Sequence, residues 1–383
     1  MYNLDFTAKR GTGGIAANHS LILHLLYQML YLLPNELLVV IVEYCDHETR
    51  KNLSLVSRRL RNPSQCVIFK TVRISSNTVE IMVAVKGGGH LPEVFQNNRL
   101  LSYIQTFVIS PGTAYHHLGT GIMVSIFTAL YQMQPLRDIK LVDVPFTTTM
   151  LDRLCEVLSN RLYNLELQDC SYPADYTIQQ AALKIHRLLL RLGGHEWVDT
   201  ESPPTMTNAL VAIIQRSLSS IATLILSSGL SLLPYLGTMP RLTSLETDLG
   251  SKSEDEGLRN FLVANPQLVE FTSRGPFFGF SPLPPSALPN LRTIRTYNFK
   301  AIHQLISGRP VAKVEIRKLS TLKTIVKGLR ALSHSTAPIV ELTIPLHHHF
   351  THLNDVLGAV VKAAPRLERM SLSFRAEVRR ILY

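Results

Sequence analysis

Cysteine is scarce, tryptophan scarcer, and charge is thin. Of 383 residues four are cysteine (Cys45, Cys66, Cys155 and Cys170), and Trp197 is the one tryptophan. No two cysteines stand in a Cys-x-x-Cys spacing, so neither a zinc site nor a disulfide framework is indicated, and a reducing compartment fits best. Charged residues are 17% against 46% hydrophobic, which excludes a disordered chain and describes a globular one long enough for two or more domains. The short motifs that carry chemistry are missing too: no Gly-x-x-x-x-Gly-Lys phosphate loop, no Gly-x-Ser-x-Gly, no His-Glu-x-x-His. Nothing marks a convergent set of titratable residues, so the expectation is a non-enzyme without catalytic residues, metal or cofactor.

Carboxylates are also short, 28 against 39 Lys and Arg, for a net charge of +11. The excess is diffuse, clustering only at Arg58 to Arg61 and in the tail at Arg375, Arg379 and Arg380. No basic motif interleaved with aromatics accompanies it, so a solvated basic surface is favoured over nucleic-acid binding. Long hydrophobic runs are lacking as well. The strongest, Leu21 to Leu33, stops at Pro34, short of the ~20 residues of a spanning helix, and His24 and Gln28 interrupt it. No small-residue cleavage site precedes Pro34, which argues against a signal peptide. Residues 1–31 therefore read as an N-terminal arm followed by an extra helix, with no membrane role.

What is present begins at Leu32. Pro34 suits the first turn of a helix, where its missing N–H has no partner to lose. Leu37, Leu38, Ile41 and Tyr44 follow at three- and four-residue spacing and predict one apolar stripe. Asp46 can cap a second helix, in which Leu53, Val56 and Leu60 share a face and Arg58, Arg59 and Arg61 crowd the C-terminal end. Asn62-Pro63 is read as its end, followed by a short apolar piece around Val67 to Phe69. A trihelical unit of roughly 40 residues is marginal alone and wants a partner.

At these residues the sequence resembles an F-box. Leu33-Pro34-Asn35-Glu36-Leu37-Leu38 with Ile41 supplies the first block of that family's pattern, Leu53 through Arg61 the second, and Phe69-Lys70-Thr71-Val72-Arg73-Ile74 the third. The closing block looks most like the F-box proteins that fungi carry in large numbers. One departure is Arg50, where the family has Leu, which removes an apolar contact. The resemblance implies docking on a Skp-type adaptor, and through it on a cullin, as the substrate receptor of an SCF-type ubiquitin ligase in the cytoplasm or nucleus. Leu33, Pro34, Leu37, Ile41, Leu53, Val56 and Phe69 occupy the family positions that form or support the adaptor-facing surface, with Glu36 and Arg58 at its rim. A scaffold paired with the adaptor alone, outside a ligase, is the other reading.

After Ile74 one grammar recurs: a Pro or Asn, a Leu, two spacers, then alternating apolar residues. It stands at Gln134 to Leu141, Asn160 to Leu167, Met239 to Leu245, Asn265 to Phe271, Leu288 to Ile294, Ala337 to Ile344 and Ala364 to Leu372. Weaker copies are Tyr103 to Ile109, Ser220 to Leu226 and Val311 to Ile316. Such copies predict short parallel strands of a leucine-rich-repeat-like solenoid. Helices are expected at Ile122–Gln132, Met150–Leu158, Asn208–Ser217, Leu258–Ala264 and Thr351–Ala364, on the convex side. Asp175 to Thr207 shows no clear strand and reads as a degenerate repeat with a helix near Ile178 to Leu192. The expected fold class is α/β: a trihelical F-box at 32–74, then an irregular solenoid at 75–383 that holds an unknown protein target. Lys140, Glu166, Glu270, Arg292, Glu315 and Thr343 are candidates for its outward face.

Some stretches invite a sharper reading. His348 and His352 have a workable zinc spacing, but Thr351 reads as the helix start, so a polar loop is favoured. Gly87-Gly88-Gly89 precedes Pro92 and reads as a turn, not a phosphate cradle. Trp197 either anchors a partner or covers a core edge, and Phe277 to Phe280 either forms an exposed loop or packs inward.

Overall fold

Alternating apolar residues become a ladder. The computed structural model describes residues 32–75, 93–110, 120–173, 176–179, 182–191, 204–227, 232–233, 236–248, 254–274, 283–284, 286–297, 299–318, 321–347 and 352–375. Within them lies a 12-stranded sheet in which each strand pairs in parallel with the next one in sequence. The strands are β1 Thr71–Ser75, β2 Thr106–Ser110, β3 Asp138–Val142, β4 Tyr163–Gln168, β5 Ile185–Arg191, β6 Thr223–Ser227, β7 Ser244–Asp248, β8 Glu270–Ser273, β9 Thr293–Thr296, β10 Lys313–Ile316, β11 Glu341–His347 and β12 Arg369–Arg375. An order without reversal, with helices on one face, is a solenoid: each repeat buries its apolar edge against its neighbour.

Register explains the core. One column of side chains runs Phe107, Ile139, Leu165, Leu188, Leu224, Leu245, Phe271, Ile294, Val314 and Leu342, every member buried. The column two residues on begins Ile74, Ile109, Leu141, Leu167, Leu190 and Leu226, then turns to Thr247, Ser273 and Thr296 before Ile316. The Thr247 and Ser273 hydroxyls are buried with no hydrogen-bond partner among the described residues, so the middle repeats carry a polar desolvation cost the first ones avoid. At the ends of β3 and β4, Asp143 and Asp169 take left-handed φ of 54° and 52°, a conformation aspartate tolerates better than most residues, and turn the chain off the sheet.

All ten stretches with the repeat grammar contain or lead into a strand. The degenerate region is different: Ile185–Arg191 is a strand, not part of a helix from Ile178 to Leu192. Leu188-Leu189-Leu190 fits either period, and pairing on both edges, with β4 and β6, decides it, burying Leu188 and Leu190 while Arg187 and Arg191 face water.

On the convex side stand α4 Glu93–Gln96, α5 Asn98–Leu101, α6 Thr120–Leu130, α7 Thr148–Asn160, α8 Pro204–Ser217, α9 Glu254–Ala264, α10 Phe299–Ile306, α11 Leu322–Ala331 and α12 Leu353–Ala363. The sequence reading missed α10 and α11, which run only 8 and 10 residues between close-set strands. His352, not Thr351, stands at the N-cap of α12, and its side chain makes no capping bond.

Repeats are also pinned by buried polar groups. Asn265 is fully buried, accepting from the Met239 N–H at 2.7 Å and donating to the Phe261 carbonyl at 2.8 Å. Arg309, 1% exposed, donates through Nε to the Ala287 carbonyl at 2.9 Å, through Nη2 to Pro284 at 3.1 Å, and through Nη1 to Ser307 at 2.9 Å, Gln304 at 3.2 Å and Leu305 at 3.3 Å. It thereby closes the carbonyl end of α10, a position that suits a cation.

Before the sheet come α1 Asn35–Tyr44, α2 His47–Val56 and α3 Arg58–Ile68. Two expectations change here. Leu53 and Val56 lie on α2 but Leu60 lies on α3, because extended Ser57 interrupts the helix and its Oγ accepts from the Leu60 N–H. Arg58, Arg59 and Arg61 are consequently at the N-terminal end of α3, not at a C-terminal one. Asn62-Pro63 ends nothing either: Pro63 is buried inside α3, at the loss of one helical hydrogen bond.

The N-terminal arm and extra helix of 1–31, Gly87 to Gly89, Trp197, Phe277 to Phe280, His348 and the tail beyond Arg375 lie outside the described residues.

Candidate adaptor-docking face

Helix α1 has two apolar faces. Leu38 and Val42 are fully buried on a helix that packs on α3, whereas Leu37 (49%), Val40 (47%), Ile41 (40%) and Tyr44 (90%) face water. The single stripe expected of Leu37, Leu38, Ile41 and Tyr44 is therefore two: Leu38 belongs with Val42 inside, and the other three share the outer face with Val40. A short helix apolar all round is expected only when both faces find cover.

The rest of the unit holds that face still. Asp46 Oδ1 accepts from the Thr49 N–H at 2.7 Å, capping α2, and that bond holds its carboxyl below the usual carboxylate range. Arg50 reaches back from α2 to the end of α1, donating Nε to the Val42 carbonyl at 3.0 Å and Nη2 to the Glu43 carbonyl at 2.6 Å. The residue that departs from the family's Leu thus adds donors at the C-terminal end of α1, where the Val42 carbonyl also accepts from the Cys45 N–H at 3.1 Å. Glu43 also pairs with Lys70 at 2.8 Å, and this hydrogen bond lowers its pKa. Arg59 donates to the Leu33 carbonyl at 2.6 Å, fixing the turn into α1.

Of the residues expected on the docking surface, Leu37 and Ile41 stand on the exposed face of α1, with Pro34 exposed just before it. Leu33 and Leu53 are half-buried, and Phe69 is half-buried at the C-cap of α3. Val56 ends α2, and its side chain lies outside those described. Val40, Tyr44 and the 74%-exposed Leu55 of α2 are further exposed apolar residues that the expected docking set did not include. The helical offset of 37, 40, 41 and 44 from 38 and 42 was the available signal.

The sheet's outward face looks different. Lys140 pairs with Glu166 at 2.6 Å. Arg295 joins Glu270 to Glu315, and Glu315 also holds Arg317 at 2.8 Å. Glu341 takes both Lys313, at 3.0 Å, and Arg369, and Glu246 takes Arg274. The candidates Lys140, Glu166, Glu270 and Glu315 are there but paired with one another or with neighbours; Thr343 lies on β11, and Arg292 sits in the turn before β9.

Among the described residues no cluster of three or more His, Cys, Asp or Glu could hold a metal. His352 instead meets Asp355 at 3.3 Å. No described helix is long and apolar enough to cross a membrane. The four cysteines are free thiols, and burial pushes Cys155 up to about 11 and Cys170 up to about 12, far from reactive.

Comparison with known proteins agrees with the geometry at one place. Residues 30–62 match the family model described as F-box domain. The chain thus joins a segment, 30–62, similar to an F-box domain to a leucine-rich-repeat-like parallel β/α solenoid. An F-box is a non-catalytic adaptor module. No curated protein matches the chain. A chain from the crystal structure of the Rad7 and Elc1 complex in yeast aligns with 11% identity over 97% of this chain and 97% of its own, with a TM-score of 0.36, too distant to carry an argument.

Proposed function

We propose that this protein is the substrate-recognition subunit of an SCF-type ubiquitin ligase, acting in the cytoplasm or nucleus. Its F-box, 32–74, docks on a Skp-type adaptor and so on a cullin, while 75–383 holds a protein target. The observation that carries the reading is the water-facing stripe of Leu37, Val40, Ile41 and Tyr44 on a helix whose other face is already buried. Four large apolar side chains on three turns make a contiguous patch of the kind that marks a protein interface. Leu33, Pro34, Leu53, Val56 and Phe69 support or extend that surface. No bond chemistry is asked of this chain: holding a target beside a conjugating enzyme raises its effective concentration there.

The test is co-purification with a Skp-type adaptor, wild type against a Leu37→Asp, Ile41→Asp double variant. Both positions are exposed, so the fold survives. Each is expected to cost ~2 kcal/mol or more of binding, and retention falls to background. An adaptor that ignores wild type, or binds the double variant equally well, overturns the proposal. If adaptor binds but target turnover is indifferent to the cullin, the protein is a scaffold outside a ligase.

A further inference from the structure

The basic excess is not spread evenly over the two faces of the solenoid. From Phe299 to Glu368 the carboxylates are Glu315, Glu341, Asp355 and Glu368. Glu315 and Glu341 lie on the strand face and are taken there by Arg295, Arg317, Lys313 and Arg369. On the convex side, Lys323, Lys327 and Arg330 of α11 and Lys362 of α12 are exposed, and none forms an ion pair among the described residues. Helices α10 and α11 carry no acidic residue at all.

These cations border clefts. Between α11 and α12 runs one of about 730 Å³, floored by Leu322, Val326 and Ala359, with Lys323, Arg330 and Lys362 along its sides. Asp355, already facing His352, is its one acidic lining residue. A second cleft of about 470 Å³, on the α10 side of α11, is bordered by Lys323 and Lys327. Gly358 also lines the first cleft, and a Cβ there would meet nothing within 4 Å, so the space above it is open.

We propose that the α11–α12 cleft binds an acidic, amphipathic peptide segment of a partner protein, with its apolar side chains on the Leu322, Val326 and Ala359 floor and its carboxylates on Lys323, Arg330 and Lys362. Charge complementarity selects the acid, since unpaired cations on both sides of a cleft favour an anionic occupant and steer it in. The apolar floor selects a peptide over a nucleic acid. Phosphate contacts need no apolar floor, and bases stack best on an aromatic ring, which none of the described lining residues of this cleft supplies. Helices of 10 and 11 residues give walls of ~15 Å, which matches about ten residues of a helical ligand laid in a groove. The inference deepens the proposed function by giving the chemistry of its target, and it fails separately from adaptor docking.

Fluorescence anisotropy on the full chain tests it. The probe is a labelled helical peptide of about twelve residues with Glu on one face and Leu on the other. Comparison probes are the same peptide with Leu replaced by Gln, and a single-stranded oligonucleotide of equal length. The Leu-bearing peptide is expected to bind tightest, to weaken with salt, and to lose at least about tenfold in a Lys323→Glu, Arg330→Glu, Lys362→Glu variant. An Arg187→Glu variant on the strand face should bind it as wild type does. Absence of binding, equal loss in both variants, or equal or tighter binding of the Gln peptide or the oligonucleotide overturns the proposal. The triple variant should still co-purify with the adaptor, so each reading is judged by its own readout.

Discussion

The F-box helices and the solenoid solve the same problem of apolar surface in opposite ways. In the solenoid, columns of Leu, Ile, Val and Phe stack repeat upon repeat into one continuous core from Ile74 to Ala364, which no residue of α1, α2 or α3 joins. Among the described large apolar side chains the helices bury only Leu38, Val42 and Leu60, and leave Leu37, Val40, Ile41, Tyr44 and Leu55 exposed, with Leu32 exposed just before α1. What fastens them is largely polar: Glu43 to Lys70, Arg59 to the Leu33 carbonyl, Arg50 to the end of α1, and Arg99 of α5 to Asn62. One region is finished within the chain. The other leaves an apolar face open to water, and its polar fastenings hold that face in shape without covering it.

That contrast can be broken where it is strongest. Arg309→Met takes a donor from five carbonyls inside the solenoid and should cost about 3 kcal/mol or more in urea unfolding, with adaptor binding unchanged. A loss under about 1 kcal/mol would mean water or neighbouring groups replace the guanidinium.

Gly328→Ala comes next. A Cβ at Gly328 would run into the Phe299 ring, so α10 and α11 must part, at about 1–3 kcal/mol. A companion Phe299→Leu change should recover part of that. Failure to recover any would place the strain elsewhere.

In the F-box the effects shrink. Arg50→Leu restores the family's apolar residue but removes two bonds to the last carbonyls of α1, so hydrogen exchange of α1 and α2 should speed by about 1 kcal/mol. A slower exchange would show that the apolar contact outweighs the cap.

Smallest is the response to acid. Glu43 and Asp46 have lowered pKa values in the fold, so each contributes stability that is present above the ordinary carboxylate range and lost as pH falls through its depressed value. Both are exposed, so the change is slight, and it should show as faster exchange at the α1–α2 elbow below about pH 4 while β5 amides stay protected. Exchange that is flat with pH at the elbow, or that changes first in β5, would dissolve the distinction between a polar-fastened and a core-fastened region.

Much of this was legible in the residues. The Pro-x-Leu-x-x-Leu-x-Leu stretches foretold strands because a period of two survives any context that buries one face. The F-box blocks foretold its helices. Less legible were the ends. Ser57 and Pro63 traded roles because a serine that accepts from the N–H three residues on starts a helix, and a proline past the first turn can be carried by packing. The outward charges of the sheet could be named in sequence, but not that Arg295 would bridge Glu270 and Glu315 from strands flanking its own.

By itself, then, the sequence determined the kind of protein: local period, capping residues and the family's blocks are carried by neighbours a few residues apart. Tertiary structure decided which way each of those elements faces and what it meets. It turned Leu188-Leu189-Leu190 into a strand by offering pairing on both edges, put Leu38 inside and Leu37 outside, and buried Arg309 among carbonyls drawn from Pro284, Ala287 and the end of α10. It also spent Glu315 and Glu341 on the strand face and left the cations of α11 and α12 without an ion pair among the described residues. Those outcomes depend on groups far apart along the chain meeting in space, and spacing alone holds no record of that.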